Sequence, residues 1–241
     1  AQAAAARTVH SSVLLFRPDS FFEPVELQMQ NGFATAMAFH PQKSLFLTAS
    51  TGGEIEIWDQ NSGTKLKALS SNETGITEIA FAKESATLLA VNNDKTLDVW
   101  DLESEEKRVT LNGHTSLPRA IAITPDGKRI ATAASEKGNP IRVWDGETGK
   151  QLASLGGHVG GIRNLRMPPN GSELISSALD NTIRLWNIDD ELKALRLEFR
   201  QQIVWDLALS ADDSQIATGA EANVIRLFDT ANGEYQGALE G

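Results

Sequence analysis

GIRNLRMPPNGSELISSALDNTIRLWN, residues 161–187, reads as three short runs of alternating apolar and polar residues separated by turn formers. The runs cover 161–167, 173–178 and 182–186. Pro168-Pro169-Asn170-Gly171 and Asp180-Asn181 stand between them, and a fourth run follows over 192–199. Alternation with period two puts every second side chain on one face of a strand, while Pro, Asn, Asp and Gly supply the dihedral angles that tight hairpins need. The segment predicts a four-stranded antiparallel meander with no helical stripe to interrupt it.

The pattern recurs along the chain. Its third run ends on an aromatic in Val13-Leu14-Leu15-Phe16, Ile55-Glu56-Ile57-Trp58, Leu97-Asp98-Val99-Trp100, Ile141-Arg142-Val143-Trp144, Ile183-Arg184-Leu185-Trp186 and Ile225-Arg226-Leu227-Phe228. Successive closing aromatics lie 42, 42, 44, 42 and 42 residues apart, so the one irregularity is a two-residue insertion before Trp144. Turn chemistry recurs in step, as Pro41-Gln42-Lys43 and Pro125-Asp126-Gly127 after the first run and Asn61-Ser62-Gly63 and Glu147-Thr148-Gly149 after the third. A fixed period of this length marks an array of like supersecondary units, each burying its apolar face against a neighbour.

With Trp-Asp at 58–59, 100–101 and 144–145, relaxed to Trp186-Asn187 and Phe228-Asp229, and Gly-His at 113–114 and 157–158, the chain resembles the WD-repeat β-propeller family over nearly its whole length. The resemblance implies an all-β fold, a β-propeller of four-stranded antiparallel blades. Five complete blades fall at about 31–70, 71–112, 113–156, 157–199 and 200–241, and a partial blade at 1–30. It also implies a structural role for His158, Ser176, Asp180 and Trp186, as a hydrogen-bonded tetrad running from Trp through Ser and His to Asp and tying three strands together. The rival reading is an acyl-transfer triad, which uses the same hydroxyl, imidazole and carboxylate. The tetrad is preferred because buried polar groups must find partners. Only this copy shows all four residue types; the others hold fragments, namely His114, Thr132 and Trp144; Asp94 and Trp100; Thr48 and Trp58; Thr218 and Phe228.

Counting back 23 residues from each closing aromatic selects Thr35, Thr77, Arg163 and Trp205, and the insertion brings Arg119 to the same place. In the family this resembles, that position lies early on the innermost strand and looks onto the narrower face around the central channel, where partners bind. With Phe33 and Ile203 two residues upstream, the candidate partner-binding face is Phe33, Thr35, Thr77, Arg119, Arg163, Ile203 and Trp205. Arg and Trp are enriched among residues that dominate binding energy. The plainer alternative is that Trp205 only caps packing and the arginines pair with neighbours such as Glu221.

Composition narrows the function. A net charge of -10 gives no global positive field to neutralise phosphates, so nucleic acid is not an expected partner. No run approaches the length of apolar sequence that spans a membrane, so no membrane insertion is expected. The absence of cysteine rules out disulfides and thiolate sites, and suits a cytoplasmic and an exported chain alike. Thr148-Gly149-Lys150 lacks the Ser or Thr and the upstream glycine of a phosphate loop. His10, His40, His114 and His158 fall in different copies, and Asp189-Asp190-Glu191 lacks the alternating calcium-loop pattern, so no metal and no cofactor are expected.

These readings converge on a soluble, non-enzymatic scaffold that docks protein partners. The alternatives are a propeller enzyme of the metal-dependent hydrolase type, or the sensory or docking portion of a larger multidomain chain. The first copy enters at its third strand, 12–16, with at most 3–6 as a poor second strand, and Gly241 aligns with Gly113 and Gly157. Hence the native chain is expected to continue, or another polypeptide to supply the missing strand by strand addition. Six blades result if one segment is omitted, seven if about one further repeat is.

Overall fold

The computed structural model describes residues 5–9, 12–16, 25–70, 74–168, 171–188, 194–198, 204–210, 212, 214–220 and 224–240. All regular structure among them is β-strand, arranged in six antiparallel sheets. The chain divides into two compact units, 1–112 and 113–241.

The first unit opens with a three-stranded sheet of β1 (Ala5–Val9), β2 (Ser12–Phe16) and β3 (Val25–Gln28). Two four-stranded sheets follow. One is β4 (Ala34–Phe39), β5 (Leu45–Ser50), β6 (Glu54–Asp59) and β7 (Lys65–Ser70); the other is β8 (Ile76–Phe81), β9 (Thr87–Asn92), β10 (Leu97–Asp101) and β11 (Glu106–Leu111). The second unit holds three four-stranded sheets. Its strands are β12 (Pro118–Ile123), β13 (Arg129–Ala134), β14 (Ile141–Asp145) and β15 (Gln151–Leu155); β16 (Ile162–Arg166), β17 (Glu173–Ala178), β18 (Thr182–Asn187) and β19 (Ala194–Glu198); and β20 (Val204–Leu209), β21 (Gln215–Ala220), β22 (Val224–Asp229) and β23 (Tyr235–Glu240). Each strand pairs with its neighbours in sequence, so every repeat is one up-and-down blade of the β-propeller kind. In the first copy the second strand lies at Ala5–Val9, not at 3–6. Thr8 and Val9 suit a strand better than the alanines before them.

The Asp that follows the closing aromatic makes the turn into the fourth strand. Asp59 Oδ1 accepts the N–H groups of Asn61 and Ser62 at 3.0 and 2.7 Å, and Asp145 Oδ1 those of Glu147 and Thr148 at 3.0 and 2.7 Å. Asp101 and Asp229 do the same in their copies. A short carboxylate mimics the missing backbone acceptor, and Gly63 and Gly149, at φ 73° and 72°, complete the reversal.

Within each unit the core lies between consecutive sheets, and the closing aromatic of one sheet packs on the sheet before it. Trp58 joins Val13, Leu15 and Leu27; Trp100 joins Leu47, Leu69 and Ile57; Phe228 joins Ile175, Ile183 and Leu185. Full burial of such side chains contributes about 1.5–3 kcal/mol each.

Candidate functional site

Ser176 on β17 and Trp186 on β18 are held near His158 and Asp180 by the flanking loops. Trp186 Nε1 donates to Ser176 Oγ at 2.8 Å, Ser176 Oγ lies 2.7 Å from His158 Nε2, and His158 Nδ1 lies 2.9 Å from Asp180 Oδ2. A carboxylate only accepts, so Nδ1 carries the proton, Ser176 donates to Nε2 and the indole donates to Ser176. The Val159 N–H donates to the same carboxylate oxygen at 2.9 Å. Burial alone would raise the Asp180 carboxyl, but hydrogen bonds from Thr182, His158 and Val159 outweigh it and bring it down to about 2. The Ser-His-Asp order matches a hydrolytic triad, yet Ser176 is wholly buried and its oxygen already receives the indole N–H. No substrate carbonyl can reach it.

The preceding blade carries the same network, although its sequence pattern shows only His114, Thr132 and Trp144. Trp144 Nε1 donates to Thr132 Oγ1 at 2.8 Å, Thr132 meets His114 Nε2 at 2.7 Å, and His114 Nδ1 meets Glu136 Oε1 at 2.8 Å. The two-residue insertion lies in the turn between β13 and β14, where the longer Glu136 reaches the place that Asp180 takes one blade later. The signal was available, since both carboxylates lie 22 residues after their histidine. Burial would raise Glu136 too, but the Arg142 guanidinium, the Thr115 N–H and His114 bring it to about 2. Burial lowers His114 below its ordinary value, against the pull of Glu136.

The five positions chosen by the repeat ruler share a geometric fact. Thr35, Thr77, Arg119, Arg163 and Trp205 are each the residue skipped when the first strand of a blade pairs with the second, so each is the extra residue of a β-bulge. A bulge re-aims the skipped side chain and strengthens the local twist. The positions then diverge. The hydroxyls of the exposed Thr35 and the half-buried Thr77 are spent on the backbone: Thr35 Oγ1 donates to the carbonyls of Ala49 and Ile76 at 3.1 and 2.5 Å, and Thr77 Oγ1 to that of Val91 at 3.3 Å. Arg119, Arg163 and Trp205 are exposed and long enough to reach outward. Phe33, 57% exposed, lies in the first unit with Thr35 and Thr77, and Ile203 falls outside the described residues.

In the second unit the bulges of β16 and β20 meet. The Arg163 guanidinium lies over the Trp205 ring, 5.5 Å from its centre, and Asn164 Nδ2 donates to the Trp205 carbonyl at 2.9 Å. The indole is thus fixed while half of it stays exposed. Two apolar residues missed in the sequence extend this surface, Val159 at 88% exposure and Leu179 at 41%. The Leu179 N–H donates to the Gly161 carbonyl at 2.9 Å, which sets it beside the start of β16. Val159 occupies the place after Gly-His that Thr115 fills one copy earlier, and that change of residue type was the available signal.

The family described as WD40, WD domain, G-beta repeat, matches residues 26–59, 105–145, 149–187 and 195–229. Autophagy-related protein 16 of Arabidopsis thaliana is 28% identical over 196 residues, covering 80% of this chain and 38% of that protein. WD repeat and SOCS box-containing protein 1 of Homo sapiens is 30% identical over 101 residues, covering 41% and 24%. Cilia- and flagella-associated protein 52 of Chlamydomonas reinhardtii is 24% identical over 109 residues, covering 45% and 18%. The chain thus spans less than two fifths of the length of each of these relatives. The four matched segments take in more than half of it, and the chain belongs to the WD40 repeat family.

Proposed function

We propose that this chain is a non-catalytic scaffold that docks a protein partner on the second unit, at the surface of Arg163, Trp205, Val159 and Leu179 with Arg119 nearby in the repeat order. One observation carries the reading: a half-exposed indole is pinned by a guanidinium and by a backbone hydrogen bond. A rigid aromatic beside an arginine loses little side-chain freedom on binding, which is what residues dominating an interface share. The buried tetrads support the non-catalytic part, because their hydroxyls serve the fold.

Affinity capture from native extract with the wild-type chain and with Arg119→Glu/Arg163→Glu tests the surface. Capture should fall strongly while the melting temperature stays nearly constant, since exposed substitutions usually change stability by within about 0.5 kcal/mol each. Undiminished capture would overturn the assignment. The same purified chain addresses the enzyme alternative, for stoichiometric calcium or zinc would favour it.

A second docking mode has its own observation. Among the described residues β1 pairs only with β2, so the first sheet has three strands where the other five have four. We propose that a further strand, from the same protein or from a partner, completes it by strand addition. Hydrogen exchange on the isolated chain is the check, and full protection of the amides of Ala5–Val9 without a partner would refute it.

A further inference from the structure

The first unit contains a cavity of about 370 Å³ between its two four-stranded sheets. Its interior is aliphatic. Leu45 and Leu47 of β5 and Ile57 of β6 form one side, and Leu102 enters from the turn between β10 and β11. Leu66 completes it by an irregularity of β7: Ile57 pairs with Lys67 and Trp58 with Lys65, so Leu66 is skipped, bulges, and stays 50% exposed at the cavity. The volume falls in the range of sites that enclose a small ligand or an inserted side chain.

The polar groups are distributed unevenly around this lining. His40 accepts the N–H groups of Gln42 and Lys43 on Nδ1, both at 3.1 Å. That fixes the tautomer: the proton is on Nε2, the side of the ring away from the turn, and no described group takes it up. Lys43 stands on the same turn and makes no ion pair among the described residues, so one wall offers an N–H donor and an ammonium. At the mouth Lys67 pairs with Glu105, whose backbone is left-handed at φ 63°, and these two charges cancel. Glu103 lies on the facing turn. It repels an acid placed on its own side, which leaves the wall of His40 and Lys43 as the place for one.

We propose that this cavity is a further docking site, which receives a segment of a partner polypeptide in which a large aliphatic residue is followed by an acidic one. The aliphatic side chain fills the space between Leu47, Ile57, Leu66 and Leu102, and the carboxylate meets His40 Nε2–H and the Lys43 ammonium. Its binding is independent of the Arg163–Trp205 surface.

Amide chemical shifts of the ¹⁵N-labelled chain, titrated with blocked dipeptides, test this. Acetyl-Leu-Glu-amide should shift amides at 40–47, 57, 66–67 and 102–105 and saturate. Acetyl-Leu-Gln-amide should bind about three- to fivefold more weakly, the scale of one partly exposed charge interaction, and acetyl-Ala-Glu-amide should not saturate. Lys43→Glu, on an exposed turn, should reverse the order and favour acetyl-Leu-Lys-amide. Leu66→Gln should abolish saturation with an unchanged melting temperature. Equal binding of the Glu and Gln dipeptides overturns the proposal, as does saturation by octanoate alone, which would mark a fatty-acid pocket. Shifts confined to Arg163 and Trp205 also overturn it, while leaving the scaffold reading intact.

Discussion

Ala90 stands where the other four-stranded sheets carry a hydroxyl, at the register of Thr48, Thr132, Ser176 and Thr218. Trp58, Trp144 and Trp186 donate to that hydroxyl, and the buried Trp100 Nε1 has no hydrogen-bond partner among the described residues. Ala90→Ser should therefore raise stability by about 0.5–1.5 kcal/mol, read as a higher denaturation midpoint. A lower midpoint would mean that the fully buried site has no room for the oxygen. In the opposite sense, Trp186→Ala should cost about 3–5 kcal/mol through lost burial and the cavity left behind, and an unchanged midpoint would contradict its place in the core. Acid gives a further handle. Asp180 and Glu136 are held at about 2, below their ordinary 3.8 and 4.5. A carboxyl depressed in the folded state contributes fully above its unfolded value and loses that contribution as pH falls towards the folded one. Stability should thus decline between about pH 4.5 and 2, and Asp180→Asn should flatten that decline in urea titrations. His114, lowered by burial, acts in the same direction at higher pH, since its neutral form belongs to the folded state and stability ebbs as pH drops below 6.5.

The inner strands show a feature that period-two reasoning passes over. Ile76 and Ile79, Ile162 and Leu165, and Val204 and Leu207 are buried on one side of the sheet although each pair is three residues apart. The bulge between them absorbs the odd residue. The sequence held this signal as a repeated odd spacing of apolar residues, but an odd spacing reads as noise when strict alternation is the template. The second and third strands pair with no register shift, and the runs at 173–178 and 182–186 fall on β17 and β18 almost residue for residue. The Glu136 network was overlooked for a related reason: the insertion moved the carboxylate off its usual offset from Trp144 while keeping its offset from His114. The bulge has a testable corollary. Deleting Arg163 leaves Ile162 and Leu165 two apart, still on one face of a now regular strand, so the fold should survive with a modest fall in melting temperature. Deleting Ser177 from β17, which has no spare residue, inverts one end of the strand and should abolish cooperative melting. Equal damage from the two deletions would refute the account.

At the largest scale the period of closing aromatics follows the six sheets, because within each unit Trp58, Trp100, Trp186 and Phe228 pack on the sheet before their own and so cannot drift in register. What the period could not convey was the charge that varies inside it. The central residue of the third strand is Glu56 and Asp98 in the first unit, then Arg142, Arg184 and Arg226 in the second. Glu56 and Asp98, both wholly buried, meet Lys65 and Lys107 of the adjoining strand at 2.6 and 3.5 Å. Arg142 instead meets Gln151 and Glu136, both at 2.9 Å. A chain that writes nearly the same hairpin six times runs a risk unknown to a chain that writes it once, for a newly made third strand can zip onto the fourth strand of the wrong copy. Were β7 to dock on β14 in the same register, Lys65 would come beside Arg142, where both side chains are mostly covered, and a like-charge pair there is repelled. The change of charge sign between the two units at an otherwise repeated position thus disfavours pairing a fourth strand of the first unit with a third strand of the second.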